Sequence, residues 1–353
     1  MKTYNNLFER IISAESLFSA WDAFRRGKQK KPDVQRFEWN LERNIFKLRR
    51  DLKNKTYRHG PYADFYICDP KKRHIHKATV RDRVLHHAIF SVINPVFEET
   101  FIPASFSCRL NLGTHKGVET LERMARATTK NGKGPCFVLK CDIQKFFDSV
   151  DHKILLSILE RRIKDREMMW LLESVVESFA AENGRRDDQK GIPIGNLTSQ
   201  LFANVYLNDF DQFVKHSLHI RHYVRYTDDF AIVSADRAYL EGLIKPMKTY
   251  LADNLLLEIH PNKIFIQKLH RGVDFLGYVI FPKHRLIRTK TKRRIFRKFK
   301  KRLTDYLAGN ISTSTLNATL QSYLGILSHA NADRLAKEMK NFIGLIKNPP
   351  TVF

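Results

Sequence analysis

Residues 219–235 read HIRHYVRYTDDFAIVSA, and no other stretch constrains the chain as tightly. Two runs rich in aromatic and β-branched residues, one ending at Tyr226 and one starting at Phe230, flank the pair Asp228-Asp229. Such runs predict the two strands of a hairpin. The turn lacks the Asn-Gly or Asp-Gly that tight hairpins prefer and carries two adjacent carboxylates instead. Aspartate is a common turn residue. Two like charges at one hairpin tip also repel unless a cation sits beside them. Both readings stand until the rest of the chain is weighed.

A second acid stands in a similar setting. In Cys136–Phe147 (CFVLKCDIQKFF), Phe137, Leu139 and Cys141 alternate with Val138, Lys140 and Asp142, which predicts a buried strand ending at Asp142. A carboxylate at the end of a core strand is costly unless it is paired or metal-bound. If this strand and the hairpin share a sheet, Asp142, Asp228 and Asp229 converge. Ligands that are all oxygen suit Mg²⁺. Two such ions, about 3.5–4 Å apart, stabilise both the entering and the leaving oxygen of a displacement at phosphorus.

Charge points to the substrate class. The chain has 353 residues, with 62 Lys and Arg against 37 Asp and Glu, a net charge of +25. An excess of this size, spread along the chain, implies a polyanionic partner, with nucleic acid first and an acidic membrane surface second. No apolar run approaches the length of a membrane span. The N-terminus has charges inside its apolar stretch, so no signal peptide is expected. Cys68, Cys108, Cys136 and Cys141 form no C-x-x-C pair, so neither a zinc site nor a disulfide framework is indicated, and reduced thiols in a cytoplasmic protein are expected.

In chain order, helical spacing predicts helices over 4–26 and 34–53, separated by a basic loop. Short strands are expected at Tyr62–Cys68 and His74–Lys77, around a turn with Lys71, Lys72 and Arg73 that could grip phosphates. His74 and His76 share a strand face, but further metal ligands are lacking. A helix over 80–97, ended by Pro95, carries Arg81 and Arg83 in its first turn. That is the wrong end for cations by the helix dipole, so a ligand anion is the expected reason. Residues 101–113, with Arg109, are irregular, and helices follow at 114–128, 151–163 and 166–180. Residues 182–190 read as a polar loop. The turn Gly191–Gly195 opens a helix to about Ser217, with Asn196, Thr198 and Ser199 as candidate caps, and lets backbone approach a nucleotide closely. A helix over 237–256 and strands over 257–267 and 272–281 come next. From Lys290 to Arg302, nine of thirteen residues are Lys or Arg, interleaved with Ile295, Phe296 and Phe299. This basic amphipathic helix, with Lys292, Arg293, Arg297 and Lys300, reads either as a solvated face or as a duplex-backbone contact. Two more helices, 312–328 and 332–347, follow.

These motifs, in this order, resemble those of reverse transcriptases. Tyr226-Thr227-Asp228-Asp229 resembles the Tyr-x-Asp-Asp box, and Asp142 with an aromatic Phe147 five positions on resembles the first catalytic motif. Phe275-Leu276-Gly277-Tyr278 resembles the primer grip, and Lys263 the lysine before it. Lys71 to Arg83 resembles the fingers segment that holds the triphosphate, and Ser105–Arg109 the next fingers motif of bacterial and intron enzymes. The run Ile192–Gln200 followed by Leu201–Tyr206 is similar to diversity-generating retroelement reverse transcriptases, with Ile194 where most relatives carry Gln. Thr227 departs from the Met or Ala usual in that box.

The resemblance implies an α+β right-hand polymerase: a helical N-terminal extension over 1–60, fingers over 61–135 and 179–197, a palm over 136–178 and 198–284 with an antiparallel sheet, and a helical thumb over 285–353. It implies two Mg²⁺ held by Asp142, Ile143, Asp228 and Asp229. It also implies a nucleotide site of Lys71, Arg73, Arg83, Phe146, Phe147, Ile194, Gly195, Gln200 and Lys263. The expected partners are template RNA, cDNA, dNTPs and a small basic pentameric accessory protein, with no membrane. Phe147 beneath the sugar would exclude a 2′-OH, so DNA is the expected product. Ile194 lacks the amide that could hydrogen-bond near the nucleotide, a loss on the order of 1 kcal/mol, so low fidelity is expected. The family implies errors at template adenines. Two rivals are a group II intron or retron enzyme, with the missing maturase extension against the former and the Ser199-Gln200 ending against both, and an RNA-binding protein with a vestigial site, against which the intact Asp142, Asp228 and Asp229 argue. A membrane-surface protein would leave the ordered acids unexplained.

Overall fold

The hairpin expected around Asp228 forms one edge of a four-stranded antiparallel sheet. The computed structural model describes residues 2–69, 71–179 and 189–347, so the turn residue Pro70 and most of the polar loop expected at 182–190 lie outside the described residues. All four cysteines are free thiols.

The chain opens with α1 (Leu7–Ile12), α2 (Ala14–Arg25), α3 (Pro32–Glu38) and α4 (Leu41–Lys53). The helix expected over 4–26 is therefore two. Ser13 ends the first in extended backbone, and its Oγ accepts from Ser16 N at 3.1 Å to cap the second. The helix expected over 34–53 is likewise divided, at Trp39 and Asn40.

β1 (Ala63–Ile67) and β2 (Arg73–Lys77) form a separate ribbon. α5 (Val80–Glu98) then runs through Pro95 instead of ending there. Arg81 and Arg83 need no ligand anion, because the chain supplies its own. Asp33 of α3 accepts from Arg83 at 2.6 Å and lies 2.7 Å from Lys77, while Arg81 lies 3.6 Å from Asp51.

After α6 (Thr114–Thr128) comes β3 (Phe137–Asp142), then α7 (Phe146–Ser149), α8 (His152–Glu160), α9 (Arg166–Val176) and α10 (Leu197–Gln212). Asn196 stands at the N-cap of α10, yet its side chain does not cap. It crosses to β2, donating to His76 O at 2.8 Å, and so pins the Gly191–Gly195 turn against the ribbon.

β4 (Tyr223–Tyr226) and β5 (Asp229–Ser234) form the expected hairpin, and α11 (Arg237–Leu255) follows. The strand expected over 257–267 is only β6 (Phe265–Lys268), since Pro261–Lys263 turns as a 3₁₀-helix. The strand expected over 272–281 is a hairpin, β7 (Val273–Phe275) and β8 (Tyr278–Ile280), broken at Leu276-Gly277, where both residues take positive φ. A short β9 (Arg285–Ile287), with no signal in the sequence pattern, completes that sheet. Helices α12 (Thr289–Leu307), α13 (Thr313–Leu327) and α14 (Asp333–Lys347) close the described chain.

The main sheet has the order β4-β5-β3-β6, antiparallel throughout. Its apolar residues, Val138, Leu139, Phe230 and Ile232, share one core with Trp21 and Phe24 of α2 and Val84 and Ile89 of α5. The N-terminal helices are thus built into the main core. A second, smaller core joins Ile295 and Phe299 of α12 to Leu316, Leu320 and Met339. No helix among the described residues is long and apolar enough to cross a membrane.

Candidate active site

Sheet order brings the three acids together. β3 and β5 pair with Asp142 directly opposite Asp229. Ile143 N donates to Asp228 O at 3.1 Å, so the backbone beyond β3 is also tied to the tip of the hairpin. The ladder fixes this register, because a one-residue slip of β5 would carry Phe230 and Ile232 off the face they share with Leu139 and Cys141.

The carboxylates have cationic company. Lys263 Nζ donates to Asp142 Oδ1 at 2.6 Å. Lys140, on the same face of β3 as Asp142, lies 3.3 Å from Asp229 Oδ2 and donates to Asp274 O at 3.0 Å. Asp229 Oδ1 is buried with no hydrogen-bond partner. Burial pushes Asp229 up to about 6, with Lys140 opposing the rise and Asp142 and Asp228 adding to it. Asp228 is also raised, first by burial and then by Asp142. Buried acids set this close together disfavour their own charge, and a cation beside them would relieve it. Among the described residues no three His, Cys, Asp or Glu side chains are already disposed as a metal cage, and the two lysines take carboxylate oxygens. The donor set still fits Mg²⁺: oxygen ligands only, one of them orphaned, with an open cleft for phosphate and water.

That cleft has a volume of about 570 Å³. It gathers most of the expected site residues: Lys71, Arg73, Ile143, Phe146, Phe147, Ile194, Gly195, Gln200, Lys263 and Leu276 beside the three acids. Phe146 is buried beneath and packs edge-on to Phe147, their centroids 5.4 Å apart, so it is Phe147 that presents the half-buried ring. Gly195 has φ +113°, and a Cβ there would come within 2.9 Å of Ile75. The turn can lie this close to β2 only as glycine.

Other expected residues lie elsewhere. Arg83 is engaged with Asp33 and does not line the cleft, although it lies on the far side of Gly195 and Gln200. Arg109 is taken up internally: it donates to Glu98 Oε1 and to the carbonyls of Ile102 and Ser105, all within 2.8 Å. Within Phe275–Tyr278 only Leu276 reaches the cleft. Phe275 and Tyr278 are buried, and Gly277 supplies the turn. Lys292, Arg293, Arg297 and Lys300 are all exposed on α12, while Ile295 and Phe299 turn inward. His74 and His76 do share a face, their rings 4.3 Å apart.

Three groups at or around the site carry little or no signal in the sequence. Lys140 is visible through alternation, two positions before Asp142. Ser107, whose Oγ accepts from Thr227 Oγ1 at 2.6 Å, and the buried pair Arg225–Asp211 give no periodic signal.

The arrangement has counterparts in known proteins. A family model described as reverse transcriptase (RNA-dependent DNA polymerase) matches residues 68–280. Protein YkfC of Escherichia coli K12 is 26% identical over 281 residues, covering 69% of this chain and 71% of YkfC. The group II intron-encoded protein LtrA of Lactococcus lactis is 24% identical over 305 residues, covering 68% of this chain but only 50% of LtrA. Among solved structures, telomerase from Candida albicans in complex with a fragment of telomeric RNA covers 91% of this chain and 60% of its own, with a TM-score of 0.51 at 13% identity. Likeness at that identity speaks for fold, and the mixture of helices with antiparallel sheets is that of a right-hand polymerase.

Proposed function

The chain belongs to the reverse transcriptase (RNA-dependent DNA polymerase) family, and on that premise we propose that it copies template RNA into DNA at the cleft around Asp142, Asp228 and Asp229. The carrying observation is the cross-strand pairing of Asp142 with Asp229, at the floor of a cleft lined by Lys71 and Arg73. A primer 3′-oxygen attacks the α-phosphorus of a bound dNTP, and pyrophosphate leaves.

Asp142, Asp228 and Asp229, with Ile143 beside them, would hold two Mg²⁺. When bound, these ions supply stabilisation of the attacking and leaving oxygens. The chain's own groups do the rest. Lys71 and Arg73 neutralise the triphosphate. Phe147 fills the space a 2′-OH would occupy. Lys263 and Lys140 offset the repulsion among the carboxylates and hold Asp142 and Asp229 in place. Leu276, on its strained turn, lies where the primer end would meet the cleft. The extended layout we propose is fingers over 61–135 and 179–197, palm over 136–178 and 198–284, and thumb from 285.

Within the family we propose the error-prone, retroelement type that diversifies a target gene. Support comes from Ile194, an aliphatic side chain on the cleft wall. That reading carries with it, by family resemblance alone, a small basic pentameric accessory protein. The similarity to LtrA favours a second reading, an intron-type enzyme of ordinary fidelity.

Primer extension on an RNA template with dNTPs tests the activity. Wild type should extend and Asp228→Ala should not; equal extension by both would end the proposal. Sequencing the cDNA separates the two readings, because errors concentrated at template adenines belong to the retroelement type alone.

A further inference from the structure

The turn that carries Asp228 is held from outside the cleft. Tyr226 pairs with Asp229, so Thr227 and Asp228 are the whole of a two-residue loop. Thr227 has φ +54°. Tight hairpins with positive φ at that position normally place glycine there. A β-branched residue in such backbone persists only when its surroundings over-determine it.

Two contacts do so. Thr227 Oγ1 donates to Ser107 Oγ at 2.6 Å, and Arg225 Nη1 donates to Thr227 O at 3.1 Å. Arg225 is fully buried. Its Nε and Nη2 form a fork onto Asp211, at 2.8 and 2.6 Å, and Asp211, also fully buried, accepts from Tyr223 Oη at 2.7 Å. Asn204 closes the ring: its Oδ1 accepts from Arg225 Nη1 at 3.4 Å, and its Nδ2 donates to Ser107 O at 2.8 Å. Arg225 is also fixed through its backbone, since Arg225 N donates to Ala104 O at 2.9 Å and Phe106 N to Arg225 O at 3.0 Å.

A buried ion pair is weak as a source of stability, because well-packed apolar residues of similar volume often serve as well. What apolar residues cannot do is direct an N–H at Thr227 O. We propose that Arg225, oriented by Asp211, is a positioning residue that locks the Thr227-Asp228 turn so that Asp228 and Asp229 face Asp142. The catalytic consequence rests on the polymerase reading; the conformational claim does not.

The test is the double variant Asp211→Leu/Arg225→Met, which leaves no unpaired charge. Amide exchange is followed by mass spectrometry over Thr227–Phe230 and, as an internal reference, Val138–Cys141. Exchange at the turn should rise at least tenfold while the reference stays put. On primer–template, kcat should fall at least 30-fold with KM for dNTP within threefold. Adding Thr227→Gly, which takes positive φ freely, should recover a third or more of the lost rate. If the double variant does not fold, Arg225→Lys carries the same exchange test, since an ammonium reaches Asp211 without the fork. Unchanged turn exchange, or equal acceleration at both segments, overturns the proposal. A wild type inactive on primer–template, together with faster turn exchange in the variant, sinks the polymerase reading and leaves the positioning role standing.

Discussion

Asp142 of β3 and Asp229 of β5 are cross-strand partners, two carboxylates face to face on neighbouring antiparallel strands. Like charges directly opposite destabilise a sheet. Here a third acid, Asp228, adjoins them, and burial with these neighbours pushes Asp229 up to about 6. Lys140 and Lys263 offset part of the repulsion. The fold thus keeps a locally unfavourable arrangement that a divalent cation would relieve.

Removing one acid should therefore cost activity but not stability. Asp228→Asn is expected to lose about 10³-fold or more in primer extension while its Tm, measured without divalent ions, equals or exceeds that of wild type. Added Mg²⁺ at ten times its Kd should stabilise wild type by about 1.4 kcal/mol and the variant far less. A Tm several degrees below wild type would mean the acids serve the fold instead.

Phe147 lines the cleft as a half-buried ring. Phe147→Ala should open space at the sugar, so the preference for dNTP over NTP is expected to fall at least tenfold in kcat/KM. A preference within twofold of wild type would remove Phe147 from sugar selection.

Ile194 lines the cleft wall, and the proposed low fidelity rests on its lacking an amide. Ile194→Gln should lower misincorporation on a defined RNA template by several-fold, in line with one hydrogen bond on the order of 1 kcal/mol. Unchanged error rates would sink the account of low fidelity.

The exposed cations of α12 should be felt as salt dependence. Every phosphate that a removed side chain no longer neutralises lowers the slope of log K against log salt by about 0.9 for a B-form duplex. Arg293→Ala/Arg297→Ala is expected to reduce the slope for primer–template binding by roughly 2. A weaker constant with the slope unchanged would place these side chains away from the backbone.

Acid should destabilise the fold through α5. Burial, with help from His59, pulls His86 down to about 3, and burial, with Lys28 and Arg83, pulls His87 down to about 4. Both folded values lie below the unfolded 6.5, so the unfolded chain binds more protons between them. Their stabilisation is complete above pH 6.5 and is lost as pH falls towards 3 to 4. At pH 5.5 the loss should be about 1.4 kcal/mol for the fully buried His86 and less for the partly exposed His87. Urea unfolding at pH 7.5 and 5.5 measures it, and His86→Gln should flatten the dependence.

The sequence carried the hairpin and β3 because alternation of period two is strong there, and the acids fall at its ends. It carried α12 because basic and apolar residues alternate at helical spacing. It did not show the division of the first expected helix, which turns on one hydroxyl, Ser13. Nor did it show that Pro95 would sit inside α5, or that Asp33 would satisfy Arg83 from 50 residues away. The network of Asp211, Arg225, Asn204 and Ser107 was invisible for the same reason. Its members lie on three segments, α10, β4 and the loop before α6, and only the folded chain sets them around Thr227.

The most direct test of the shared cation site is Mn²⁺ binding, followed by electron paramagnetic resonance in the complex with primer–template and a non-hydrolysable dNTP. Asp142→Asn at the end of β3 and Asp228→Asn in the hairpin turn, far apart in sequence, should each weaken the bound Mn²⁺ signal at least tenfold relative to wild type. Wild-type binding in both variants would contradict the account.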